Sequence, residues 1–148
     1  MEFYECKVKY RRETGEGKQE KVSETYLIEA ISFGDAETRV LEEVKPFVFM
    51  GEEIEMKIIK KVAYYDLFNN PDGHFWYKAK VSLFIPDEDS GKEKKVNIAI
   101  LIHETDMENA YKLVKNEMEK GGDNYQIINL QVTNIMDIIS LVHKEDAL

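Results

Sequence analysis

The chain is poor in the residues that small proteins use as staples and as reactive groups. One cysteine, Cys6, stands among 148 residues, which excludes an intrachain disulfide and any cysteine-built zinc cluster. No run approaches the roughly eighteen apolar residues of a membrane span, so no membrane role is expected. Positive charge is in deficit: 20 Lys and Arg against 29 Asp and Glu leave a net charge of -9. Such a field repels polyanions at long range and weighs against non-specific nucleic-acid binding, although charge can still be segregated by face. P-loop, GxGxxG and GxSxG patterns are absent, so phosphate cradling and serine-hydrolase chemistry lack their usual elements. Met1-Glu2-Phe3-Tyr4-Glu5-Cys6 alternates like a strand and lacks a basic segment followed by an apolar run. A cytoplasmic location is the expectation.

What is present is a pattern that occurs twice. Tyr4, Cys6, Val8 and Tyr10 alternate with Glu5, Lys7 and Lys9, the period-two signature of a half-buried strand. The same alternation returns as Tyr77, Ala79, Val81 and Leu83 against Lys78, Lys80 and Ser82. Each run enters a polar, glycine-containing turn and then a second strand, Tyr26-Leu27-Ile28-Glu29 and Ile98-Ala99-Ile100-Leu101-Ile102. That spacing reads as a β-hairpin. Ser32 and Asp106 stand where helix N-caps belong, since a short side-chain oxygen satisfies free N–H groups of the first turn. Helical spacing follows in Phe33, Ala36, Val40, Val44 and in Met107, Ala110, Val114, Met118. Pro46 and Gly121-Gly122 supply the stops. Ile54–Ile59 and Tyr125–Leu130 read as third strands, with a shorter helix-to-strand connection in the second copy.

These matches predict an α+β fold built by tandem duplication of a β-β-α-β unit, mostly antiparallel, with two helices and a pseudo-twofold axis. Residues 1–148 are read as one domain: repeat one at about 2–68, a linker turn at 69–73, repeat two at about 74–140, and a C-terminal tail at 141–148. An open six-stranded sheet is the first choice, with two three-stranded sheets or a barrel as alternatives. The tails Tyr64–Phe68 and Ile135–Ile139, which share Asp66 and Asp137, are expected to form helical turns or ordered corners.

Several short motifs carry a resemblance. Tyr4–Val8, Thr25–Phe33, Trp76–Val81 and Ile135-Met136-Asp137 resemble, over nearly the whole chain, the domain of unknown function 4494 family of Bacteroidota and their phages. The resemblance implies a cytoplasmic protein of a bacterium or phage; no activity, cofactor or catalytic residue transfers with it.

Candidates for chemistry fare poorly residue by residue. His103, Glu104, Asp106 and Glu108 lack HExxH spacing, and Asp87–Gly91 lacks the glycine and terminal glutamate of a calcium loop. Cys6 lies on the apolar face of its strand, the place of a small core residue rather than a nucleophile. His74 and His143 read as solvent-facing. No catalytic residue, metal or cofactor is therefore assigned, and a non-catalytic protein-interaction module is expected, with a homodimer as one form of it. One surface survives as a lead. Lys7, Lys9, Lys78 and Lys80, joined by Lys57 from the third strand and flanked by Phe75 and Trp76, would make a basic stripe if they shared a sheet face. Single-stranded nucleic-acid binding is the alternative function this suggests, and an acidic decoy of nucleic acid is a further one. The plainer reading is that these lysines solvate an exposed face and discourage edge pairing.

Overall fold

The computed structural model describes residues 2–140; the proposed tail at 141–148, with His143, lies outside the described residues. The described residues form eight strands and two α-helices in an α+β arrangement. It divides into two compact units. One runs to Ala63 and resumes at Asn134, and the other is Tyr64–Thr133.

In the first unit, β1 (Glu2–Gly15) and β2 (Lys18–Ala30) form a long hairpin, followed by α1 (Phe33–Val44) and β3 (Glu55–Val62). β3 is antiparallel to β1 and so runs in the direction of β2, which makes α1 a crossover that passes over β1. A fourth strand, β8 (Ile135–Ile139), lies parallel to β2, giving the order β3-β1-β2-β8. The second unit contains β4 (Asp66–Asn69), β5 (Phe75–Pro86), β6 (Glu93–Glu104), α2 (Met107–Gly121) and β7 (Asn124–Val132). Its order is β4-β6-β5-β7, with β4 parallel to β6.

Three expectations change here. The six-stranded sheet gives way to two four-stranded mixed sheets. The tails expected as helical turns are strands β4 and β8. Each also pairs away from its own sequence repeat: β4 follows β3 in the chain but joins β6, and β8 follows β7 but joins β2. The reason is backbone satisfaction, since Tyr26-Leu27-Ile28 and Ile100-Leu101-Ile102 are buried on both faces. Such backbone could not be left unpaired at an edge.

The helices form for the reasons the sequence predicts. Ser32 Oγ accepts from the Asp35 N–H at 3.1 Å, and Asp106 Oδ1 accepts from the Asn109 N–H at 2.8 Å. Ala36, Val40 and Val44 sink into a core with Tyr4, Cys6, Val8, Tyr10, Tyr26 and Ile28. Ala110, Val114 and Met118 do the same against Tyr77, Ala79, Val81, Ile100 and Ile102. Phe33 and Met107, the first members of each predicted stripe, remain about half exposed, though Phe33 sets its ring edge-on to Tyr4 at 4.9 Å. Gly122 ends α2 at φ 78°, a left-handed conformation that costs a side-chain-bearing residue energy. Between α1 and β3 the chain instead makes a 3-10 turn, Lys45–Phe47, and a loop, which is the longer connection expected of the first copy.

Burial has a titration consequence in the first unit. Removal from water pushes the Cys6 thiol up to about 11, with Glu5 and Glu37 adding to it. Burial, reinforced by Glu24, also raises the phenols of Tyr10 and Tyr26; both donate to Glu24 Oε1, at 2.5 and 3.1 Å. A group whose folded pKa lies above its unfolded one stabilises the fold below the unfolded value. That stability is lost as pH climbs toward the folded value. Unfolded cysteine and tyrosine ionise near about 8.5 and 10. The urea midpoint should therefore decline progressively above about pH 8.5, and an unchanged midpoint between neutrality and pH 11 would contradict this account.

Candidate binding surface

In each sheet, residues directly opposite one another share a face. Lys7 and Lys9 stand opposite Thr25 and Ser23 of β2 and opposite Ile58 and Glu55 of β3, on the face turned away from α1. Lys57 occupies an irregularity in the β1–β3 register and bonds Glu55 at 2.7 Å. That contact, with Lys21 and Lys9 farther off, holds the Glu55 carboxyl below its ordinary range. Glu5 lies in the same row and takes Lys60 at 3.0 Å. The lysines of this sheet are thus interleaved with carboxylates.

Lys78 and Lys80 belong to the other sheet, so the stripe is divided between two sheets rather than laid along one. They stand opposite Leu101 and Ala99 of β6 and opposite Gln131 and Asn129 of β7. Following the same face along β5, β6 and β7 from Trp76 to Phe84 meets His103, Asn97, Lys95, Gln126 and Asn124 but no Asp or Glu. Lys78 places its ammonium 5.9 Å from the centre of the Tyr64 ring. Lys80 is exposed and makes no ion pair among the described residues.

The two aromatics do not flank these lysines as a stacking platform. Trp76 shares their face but is only 3% exposed and stacks on His103, with ring centroids 4.5 Å apart and planes 13° from parallel. Phe75 stands opposite Glu104, on the α2 side, where it meets Tyr77 edge-on. Of the tail aromatics, Tyr65 is exposed, whereas Phe68 packs against the second core.

The remaining polar candidates hold the structure together. His103 Nδ1 bonds Asn69 Oδ1 at 2.9 Å. Glu104 accepts from Asn70 Nδ2 at 2.6 Å and from the Thr105 N–H at 3.1 Å. Asp106 caps α2, and Glu108 pairs with Lys112. The turn before β5 lies so close to β6 that a Cβ on Gly73 would come within 2.9 Å of His103 and Glu104 backbone atoms. At Asp87–Gly91 the Asp87 carboxylate accepts from the Asp89 N–H and the Ser90 hydroxyl, closing its own turn.

The feature that sequence reasoning missed is an edge. β7 reads Asn124-Tyr125-Gln126-Ile127-Ile128-Asn129-Leu130-Gln131-Val132, nine residues without a charge, and it ends its sheet. Its counterpart β3, likewise terminal, carries Glu55, Lys57, Lys60 and Lys61. Charged side chains, lysine above all, are how natural sheets discourage edge pairing. The contrast is visible in the sequence once the two strands are set side by side.

Comparison with known proteins adds one finding. The model of a domain of unknown function, DUF4494, matches residues 2–141. The chain belongs to the DUF4494 family. No curated protein and no solved structure matches it. Among the described residues no helix of this DUF4494 member is long and apolar enough to cross a membrane.

Trp76, the sole tryptophan, offers a direct check on the site geometry. Its emission should be blue-shifted and poorly quenched by iodide in the folded protein, and should not change on adding single-stranded oligonucleotide. Trp76→Ala should lower stability by about 3–5 kcal/mol in urea unfolding; a change under about 1 kcal/mol would contradict its place in the packing.

Proposed function

We propose that this protein is a non-catalytic protein-binding module that takes up an extended segment of a partner along the edge of β7. One observation carries the reading: β7 is terminal in its sheet and uncharged throughout, while β3 is guarded by three lysines and a glutamate. Ile128 and Val132 are each 53% exposed on this strand. An unguarded edge offers main-chain donors and acceptors to an added strand, and side chains alternating along it give selectivity. Family membership supports reading it as a cytoplasmic protein of a Bacteroidota bacterium or phage, and the recurring β-β-α-β order supports reading the units as copies.

A second reading, single-stranded nucleic-acid binding, keeps one specific support: the carboxylate-free face around Lys78 and Lys80. It has lost its aromatic platform with the burial of Trp76, and base–aromatic stacking contributes about 1–3 kcal/mol per base in such binders.

A library of displayed random peptides, selected against the immobilised protein, tests the first reading. Enriched peptides should bind at least about tenfold more weakly to Ile128→Lys/Val132→Lys, which gives β7 the kind of guard that β3 has. Failure to enrich any peptide, or binding indifferent to those lysines, overturns it. Anisotropy of labelled oligonucleotides at low salt, with and without Lys80→Glu, tests the second.

A further inference from the structure

Resting on the strand-addition reading, we propose that the segment docked on β7 alternates apolar with acidic side chains, and that Lys80, seconded by Lys78, selects the acidic positions.

The β5–β7 pairing shifts between Lys80 and Val81, leaving Ile128 as the extra residue. A bulge of this kind interrupts a ladder, so the regular stretch open to an incoming strand is residues 129–132. Within it, Asn129 and Gln131 stand beside Lys80 and Lys78 on the face away from α2. Leu130, which packs against the second core, and Val132 stand beside Ala79 and Tyr77 on the α2 face. A strand laid on this edge must present alternate residues to those two faces. On one side its neighbours are Leu130 and the exposed Val132, which favours apolar groups. On the other side they are two amides with the lysines one strand further in.

Reach and charge then decide the second set. Strands are about 4.8 Å apart, so the docked backbone lies about 10 Å from β5. A lysine and a glutamate extended toward each other span that gap over Asn129 and Gln131. From Trp76 to Phe84 no Asp or Glu of β5, β6 or β7 stands on that face, and Glu93, just beyond it, is turned to Asn124. Lys80 is exposed and free of ion pairs among the described residues, whereas Lys78 is partly held over Tyr64, so Lys80 leads. A cationic or uniformly apolar segment would leave these ammonium groups without a counter-charge. The overall charge of -9 opposes an acidic partner only at long range and is screened at physiological salt.

The test uses three capped eight-residue peptides carrying fluorescein, alternating valine with glutamate, with threonine or with lysine, titrated against the full chain at low and at physiological salt. The glutamate peptide should bind about fivefold more tightly than the threonine peptide, the size of two exposed ion pairs, and the advantage should shrink with salt. Lys78→Glu/Lys80→Glu should reverse the order in favour of the lysine peptide, with Trp76 emission confirming that the fold persists. If the threonine peptide binds as tightly as the glutamate one and Ile128→Lys/Val132→Lys abolishes both, strand addition stands and the charge selection is overturned. If none of the three binds, strand addition itself falls. Tighter binding of a twelve-nucleotide oligothymidine through Lys80 would overturn the inference in favour of nucleic acid.

Discussion

The constraint on which the rest depends is the burial of β2 and β6. Each carries three consecutive residues with almost no exposure, Tyr26-Leu27-Ile28 and Ile100-Leu101-Ile102, so neither can stand at the rim of a sheet with its backbone unpaired. β8 and β4 meet that requirement in parallel pairing. Once they do, the terminal strands on the other side of the sheets are β3 and β7. The short tails thus act at a distance along the chain: they cover β2 and β6 and become the terminal strands opposite β3 and β7.

The two units meet the same packing problem with different polar solutions. In the first, Tyr10 and Tyr26 converge on the buried Glu24, a carboxylate tolerable there because two hydroxyls satisfy it. In the second, the polar knot is at the other end of the sheet. There Asn69 and Asn70 hold His103 and Glu104, and Trp76 stacks over the imidazole. Residues that looked like candidate ligands or stacking groups are taken up in this knot. Here these side chains close a turn, cap a helix and fill a face.

In the proposed function, what matters on this scaffold is its edges and faces. A lysine opposite a glutamate, as in β1 and β3, contributes little beyond solubility. A lysine beside amides on a face without carboxylates keeps its field for an incoming group. The difference between the units is therefore more informative than their likeness, because likeness is accounted for by packing and the charge asymmetry between β3 and β7 is not.

Much of the fold was legible in the chain by itself: the alternation of Tyr4–Tyr10 and Tyr77–Leu83, the caps Ser32 and Asp106, and the helical stripes ending at Val44 and Met118. These are local, and period and capping chemistry operate within a few residues. The burial of Cys6 followed from the same alternation. Only the tertiary structure decided that Asp66–Asn69 and Ile135–Ile139 are strands, which sheet each joins, that Trp76 turns inward onto His103, and that β7 is terminal. Strand partnership is a choice among distant segments of similar polarity. A five-residue strand such as Ile135–Ile139, apolar but for Asp137, carries no mark of its neighbour. Yet one hint was present, for Tyr26-Leu27-Ile28 breaks the alternation that a half-buried strand keeps. An unbroken apolar run is what a strand covered on both faces requires.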